Sequence, residues 1–431
     1  MHKQNGYVMD SVYPSYFYPD TQPLWLSTIA RLHGLHGPDL DAPYRYCELG
    51  CGTGFNIIVA AALNPAGHFT GVDFNPRHIA LASALARDMG VTNIEFICCD
   101  FQQFVQHRTP QFDFMNCHGV WSWVAPASQR NILEIVARHL IPKGLFCLHY
   151  MCHPGSTPML PVQHLLRGLI GPASTDSGVA VARALDAVDH LLAIGYADDQ
   201  PRLQERLRGL RGAGTDNLAH DLLSDFWSVQ HAGDVHRLAA QASLSFVGSA
   251  DMFYNLDPAF CIPPEMQPLL KQNPSPAFAE TLKDMASGRP HRADVFQKNA
   301  ARPSGQAYWD ALNALTFRRD PRRPDPDLHD IATPFGPIDV ADDGFLRILA
   351  LANRQSTFTF RELGLRPAAP AAVNQAVQAI TIMLHAGLIH PAQNDRSKAD
   401  AASIAAINRL LTARKVGLQL EPDTATGRFS G

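Results

Sequence analysis

Cys47-Glu48-Leu49-Gly50-Cys51-Gly52-Thr53-Gly54-Phe55-Asn56 is the stretch on which the fold of this chain turns. It follows an apolar run at 45–49 that suits a strand, and it opens a helix-patterned run at 56–63. In that context glycines matter, because they let the backbone turn tightly and let a ligand approach the main chain. The spacing is GxGxG, with Glu48 two residues ahead of Gly50. A dinucleotide fingerprint needs GxGxxG; the third glycine is replaced by Phe55 in one register and Ile57 in the other, so NAD fits poorly. No Gly-Lys-Ser/Thr follows, which excludes a Walker-type phosphate loop.

Outward from the loop, strand-like runs at 69–74, 93–99, 112–117 and 145–150 alternate with helical patterns at 77–89 and 128–140. Pro142-Lys143-Gly144 reads as the turn into the last of these strands. Such alternation predicts an α/β, doubly wound, Rossmann-like parallel sheet. Asp73, in Gly71-Val72-Asp73-Phe74-Asn75-Pro76, falls at the end of the second strand, where a carboxylate reaches ribose hydroxyls. Asp100, in Cys99-Asp100-Phe101, ends the third, where an acid accepts from an adenine amino group and an aromatic packs on the ring. Either acid alone reads equally well as a helix cap or turn residue. In this order behind a GxGxG loop they point to S-adenosylmethionine (SAM). The candidate cofactor residues are Glu48, Gly50, Cys51, Gly52, Gly54 and Asn56, then Asp73, Phe74, Asn75, Asp100 and Phe101, with His118 beside them.

These motifs, followed by Phe112-Asp113-Phe114 and Leu140-Ile141-Pro142-Lys143-Gly144, resemble class I SAM-dependent methyltransferases. The segments Tyr7-Val8, Tyr13-Pro14, Phe17-Tyr18-Pro19-Asp20, His118-Gly119-Val120-Trp121-Ser122-Trp123, His220-Asp221, Phe226-Trp227 and Arg292-Ala293-Asp294 resemble a bacterial subgroup carrying a methyltransferase regulatory domain. That subgroup includes protein-lysine methyltransferases acting on bacterial surface proteins. The resemblance implies a SAM-dependent methyltransferase with a protein substrate, lysine foremost. A small-molecule acceptor, or a SAM-binding scaffold without turnover, stays open. His149-Tyr150-Met151 and Pro154-Gly155-Ser156 depart from the subgroup's usual Ser-Tyr-Asn and Pro-Gly-Trp on the substrate side of the cleft.

Methyl transfer from a sulfonium is an in-line displacement that depends on alignment and desolvation. The segment after the fourth strand faces the methyl group in this fold, so Asn116, His118, Trp121 and Trp123 are the catalytic candidates, with Ser122 among the polar groups. Tryptophans there suit a cage around a cation, or plain core. Tyr7, Tyr13, Tyr16 and Tyr18 suit a lid over the cofactor or packing of an N-terminal helix. His149, Cys152 and His153 are three clustered ligand types without an evident fourth, and cleft lining suits them better than a metal.

In 431 residues with 46% hydrophobic and 18% charged content, two or three domains with real cores are expected. A formal net charge of −4 gives no reason to expect nucleic acid or an anionic membrane as partner. No signal sequence is visible in residues 1–10, the longest apolar run is only 57–63, and the eight cysteines form no CxxC pair, so a cytoplasmic setting is expected.

The expected plan is a lid segment at 1–30, a SAM-binding domain at 31–155 completed by 235–262, and a helical regulatory or substrate region at 156–317. Within the last, helices are expected at 179–192, 202–210, 218–227 and 235–242, and a strand at 244–250. A proline-rich linker at 318–337 leads to a winged-helix-like module at 338–392 with three helices, then a helix and loose tail at 393–431. The would-be recognition helix at 371–386 contains no lysine or arginine. DNA reading is therefore disfavoured, and its apolar face suits an interaction or homodimer module.

Overall fold

The computed structural model describes residues 3–170, 176–393 and 398–429. The apolar runs flanking the glycine loop are strands of one sheet. These are β1 (Tyr44–Leu49), β2 (Gly67–Asp73), β3 (Ile94–Cys98), β4 (Phe112–Cys117), β5 (Leu140–Met151), β6 (Leu244–Ser249) and β7 (His291–Lys298). Their order is β3-β2-β1-β4-β5-β7-β6. Strands β1 to β5 are parallel, and β7 is antiparallel to both β5 and β6.

The period-2 alternation of side chains divides the core between the two faces. Tyr46, Phe114 and Leu145 pack on one side with helix α1 (Pro23–Leu32). Their neighbours Cys47, Met115 and Phe146 pack on the other. Strand order reverses between β1 and β4, which opens the ligand crevice at their carboxyl ends. Helix α2 (Phe55–Leu63) is buried on nearly every side, since both the sheet and the C-terminal tail pack against it. Helices α3 (Pro76–Asp88), α4 (Phe101–Val105) and α5 (Pro126–His139) complete the crossovers.

Several expectations change. The turn at 142–144 lies inside β5, where the register against β4 slips and Lys143 takes φ 65°. This is a bulge that the strand absorbs. The expected return at 244–250 is present as β6, but β7 was not anticipated and lies outside 235–262. Its sequence, HRADVFQK, is too polar to read as a central strand. The polar groups are instead paired in the core. Fully buried Arg292 reaches Asp294, Asp284 and Glu280 at 3.0, 2.8 and 2.6 Å. Asp294 also accepts from Tyr150 Oη at 2.6 Å and bonds to His236 at 2.8 Å.

Four helices form a helical block: α6 (Met159–Ile170), α7 (Ser177–Ala193), α8 (Pro201–Gly209) and α9 (Thr215–Leu222), whereas α10 (Ala232–Gln241) packs on the main sheet beside β6. The core of the block includes Val8 and Met151, so it sits beyond the end of β5 and meets the N-terminal segment. The helix expected at 218–227 stops at Leu222. Thereafter Ser224 Oγ donates to Trp123 O at 2.9 Å and Asp225 N to Gly6 O at 2.8 Å, so polar groups serve other segments rather than a continued helix.

Residues 318–320 are not a free linker. Thr316–Arg319 is the middle strand of a small sheet with Thr357–Thr359 and Ile389–Pro391. The Arg319 guanidinium is buried and donates to the carbonyls of Asp320, Leu388, Arg323 and Pro324. Of the three helices expected in 338–392, Asp343–Gln355 and Pro370–His385 are α-helices, and Phe360–Leu363 is a single 3-10 turn. Their core is continuous with one face of the main sheet. The described part of the tail is folded as well. After helix Ala401–Ala413, a hairpin of Leu418–Glu421 and Thr426–Phe429 buries Leu418 and Leu420 against α2. No helix among the described residues is long and apolar enough to cross a membrane.

Candidate active site

A cavity of about 460 Å³ opens over the carboxyl ends of β1, β2, β3 and β4. The glycine loop forms its floor. Gly50 N and Cys51 N both donate to Val72 O, at 2.8 and 3.0 Å, folding the loop back onto β2. Gly50 takes φ 76°, and a Cβ there would lie 2.4 Å from Val120 Cγ2. Gly52, at φ 55°, faces the cavity beneath Tyr13, and a Cβ on it would meet nothing closer than 3.4 Å. Gly54 does not line the cavity; a Cβ on it would strike Ala82 at 2.7 Å, so it serves the close packing of the loop on α3.

Glu48 lines the cavity with Asn56. Its Oε1 accepts from Asn56 Nδ2 at 3.0 Å and from Asn116 Nδ2 at 3.1 Å, while Oε2 is buried with no partner. Burial lifts the carboxyl to about 7, against the downward pull of the two amides. Asp73 lines the next part of the wall. Its Oδ2 accepts from Gly52 N at 2.9 Å and its Oδ1 from Asn75 N at 2.8 Å, so the acid also shapes the loop. Asn75 does not reach the cavity; it caps α3, accepting from Arg77 N at 3.0 Å. Asp100 is likewise a helix cap, in a reciprocal box with Gln103 at the start of α4, yet it lines the cavity together with Phe101, Cys99 and Phe74.

The catalytic candidates separate. Asn116 is fully buried, spent on Glu48, and away from the cavity. Trp121 is core between sheet and helices. Trp123 donates its indole N–H to Asp221 at 3.2 Å and packs on the helical block. Neither indole lines the cavity, so no tryptophan cage forms there. His118 does line it. Its ring is stacked between Tyr18 at 3.7 Å and His149 at 4.1 Å. Burial, with a contribution from His291, pushes its imidazole down to about 3, so it is neutral at physiological pH.

The aromatic surround comes from Tyr7, Tyr13, Tyr16 and Tyr18, all on the cavity wall. Tyr7 stacks on His220 of α9 at 5.2 Å. Asp225 and Phe226, just past α9, close the roof, and their place in the site was hidden by the helix expected over them. Thr53, within the glycine loop but not among the candidates, also lines the cavity, as do His78 and Asn131, which carried no motif. His149 Nδ1 accepts from Gly119 N at 3.3 Å, Cys152 Sγ donates to Arg289 O at 3.2 Å, and His153 Nδ1 bonds to Thr157 Oγ1 at 2.7 Å. The three are engaged separately.

A family described as a methyltransferase domain matches residues 40–175, the stretch that holds the loop, Asp73, Asp100 and His118. A second, described as a predicted methyltransferase regulatory domain, matches residues 215–298. The chain carries a SAM-dependent methyltransferase domain of the class I type. This methyltransferase is 28% identical over 431 residues to an uncharacterised protein of Synechocystis, covering 98% of this chain and 85% of the other. In fold it is similar to PKMT2 from Rickettsia typhi, with a TM-score of 0.66 and 18% identity over 97% of this chain and 84% of that one. A second structure of PKMT2, in complex with AdoHcy, gives 0.64 at 19% identity over 88% and 77% of the two chains. SAM is the methyl donor. A buried acceptor without a partner at Glu48 and a loop free of Cβ atoms at Gly52 suit its ammonium group and its close approach.

Proposed function

We propose that the methyltransferase holds SAM along the glycine loop and methylates a protein side-chain amine, foremost lysine. Asp73 would take the ribose hydroxyls, Asp100 and Phe101 the adenine, and Glu48 the ammonium of the methionyl part. The observation that carries the reading of the acceptor is the neutral His118, sandwiched between Tyr18 and His149 in the aromatic wall after β4. SAM supplies a methyl carbon on a sulfonium sulfur that departs with the C–S electron pair as S-adenosylhomocysteine. A neutral imidazole beside that position accepts an N–H of an amine and leaves the amine lone pair free for the new N–C bond. The aromatic wall excludes water and disfavours an ammonium, so the amine enters having given its proton to solvent. The name of PKMT2, a protein lysine methyltransferase, supports a protein acceptor. The roof of Tyr13, Tyr16 and Phe226 also suits a small-molecule acceptor.

The test is calorimetric titration with SAM, then incubation with labelled SAM and a cell-envelope extract. Label on protein bands, located on lysine by mass spectrometry, is expected. Label only in small molecules would replace the protein acceptor by a metabolite, and SAM binding without turnover on any acceptor would overturn the enzyme reading.

A further inference from the structure

A second cavity, of about 260 Å³, lies where the N-terminal segment meets the C-terminal part of the chain. Asp20, Gln22 and Trp25 form one wall, and Arg323, His390 and Thr424 belong to the others. The sequence gives no motif here, because these residues are separated by up to four hundred positions.

The polar groups on this lining are unmet. Gln22 and Thr424 are both more than nine-tenths buried, and Gln22 Oε1 and Thr424 Oγ1 have no hydrogen-bond partner. His390 Nε2 is buried without one as well. Arg323 stands at the exposed rim of the cavity, and the half-buried Asp20 carboxylate takes a hydrogen bond from its own backbone N–H. Burial, with Asp251 nearby, lifts Asp20 to about 6, and burial pushes His390 down to about 4. The remaining charges are already engaged: Arg428 pairs with Asp320 and with Glu421, and Asp320 also takes Arg322. Trp25 spends its indole N–H on Ala250 O at 2.8 Å, so it offers the cavity only its ring.

An unmet buried polar group costs roughly 1–3 kcal/mol, and a cavity that gathers several from distant segments is shaped for a polar guest. The donors, Arg323 and Thr424, call for an anionic oxygen. The acceptors, Asp20 and the Gln22 amide oxygen, call for a cationic N–H donor. We propose that this cavity is a second ligand site that takes a zwitterion of amino-acid size, its carboxylate on Arg323 and Thr424 and its ammonium on Asp20 and Gln22. The site is separate from the cofactor cavity, although Asp20 is only two residues from Tyr18 on that wall.

The experiment uses the full chain saturated with S-adenosylhomocysteine, so that the cofactor cavity is filled. Free L-amino acids are titrated singly at millimolar concentration by ligand-observed NMR, with acetate and inorganic phosphate as anion-only probes. At least one amino acid is expected to bind, and D20N and R323Q should each weaken it about tenfold or more while keeping the wild-type Tm. T424V supplies a milder lesion should either charge variant fold poorly. No binding by any amino acid would overturn the proposal. So would acetate or phosphate binding as tightly as the amino acids, or amino-acid binding unchanged in the variants.

Discussion

Glu48→Gln separates the cost of the cofactor site from its use. The carboxyl is buried, with one oxygen held by two asparagine amides and the other unpartnered. Raising it from its ordinary 4.5 to about 7 corresponds to about 3.5 kcal/mol against the charged form, at roughly 1.4 kcal/mol per pH unit. Between pH 4.5 and 7 the unfolded chain has released this proton and the unliganded fold still holds it. Stability of the unliganded protein therefore falls across that window as pH rises, by about 3.5 kcal/mol from this group, and stays lower above it.

Gln keeps an acceptor for Asn56 and Asn116 and carries no charge. The unliganded E48Q protein should thus be more stable than wild type at pH 8 and nearly equal to it at pH 5. SAM binding should move the other way. With an ammonium on Oε2, the charged form is favoured in the complex, so wild-type affinity should fall by up to about tenfold per pH unit below 7. E48Q should bind SAM roughly 10–100-fold more weakly at pH 7, the loss of one charge-assisted hydrogen bond, with little pH dependence between 5.5 and 7. Thermal melts across pH and calorimetric titrations measure both. An E48Q protein that binds SAM like wild type, or gains no stability at pH 8, would refute the assignment of Glu48 to the ammonium.

Asp73→Ala should weaken SAM by roughly 1–3 kcal/mol in calorimetry, and Asp73→Asn, which retains an acceptor for Gly52 N, should lose less; equal affinity in a folded D73A protein would remove the ribose assignment. Arg292→Met strands Asp294, Asp284 and Glu280 without their shared cation, so a loss of about 3–5 kcal/mol in denaturant unfolding is expected. Because the Arg292 field holds Asp294 well below the usual carboxylate range and also depresses Glu280, their share of stability is present above the unfolded pKa values and is lost as the wild-type protein is acidified; R292M should show a flatter acid limb. Truncation before Leu418 uncovers α2, and two buried leucines at about 1.5–3 kcal/mol each put the loss near 3–6 kcal/mol, read as a lower Tm; an unchanged Tm would mean that the tail hairpin does not cover α2 in solution.

The cofactor side of this methyltransferase was legible in the sequence because its determinants are local. A glycine at positive φ, an acid at a strand end and the strand-helix alternation each leave their mark within a few residues, and β1 through β4 with α2 and α3 follow from them. Local pattern was also ambiguous in a specific way: Asn75 and Asp100 both cap helices, and only the placement of their side chains separates the one that lines the cavity from the one that does not. Tertiary structure decided what long-range pairing controls. HRADVFQK becomes the buried strand β7 because acids from the helix just before it and from its own strand satisfy Arg292, while the distant Tyr150 and His236 satisfy Asp294. The aromatic surround proved to be tyrosines from the N-terminal segment rather than Trp121 and Trp123, since those indoles are drawn into the core and onto Asp221. A charged, proline-rich run reads as linker until buried carbonyls claim Arg319, and a polar tail reads as loose until α2 offers its leucines a surface. Burial of a polar group depends on partners that one-dimensional pattern does not carry, and that is where sequence and structure part.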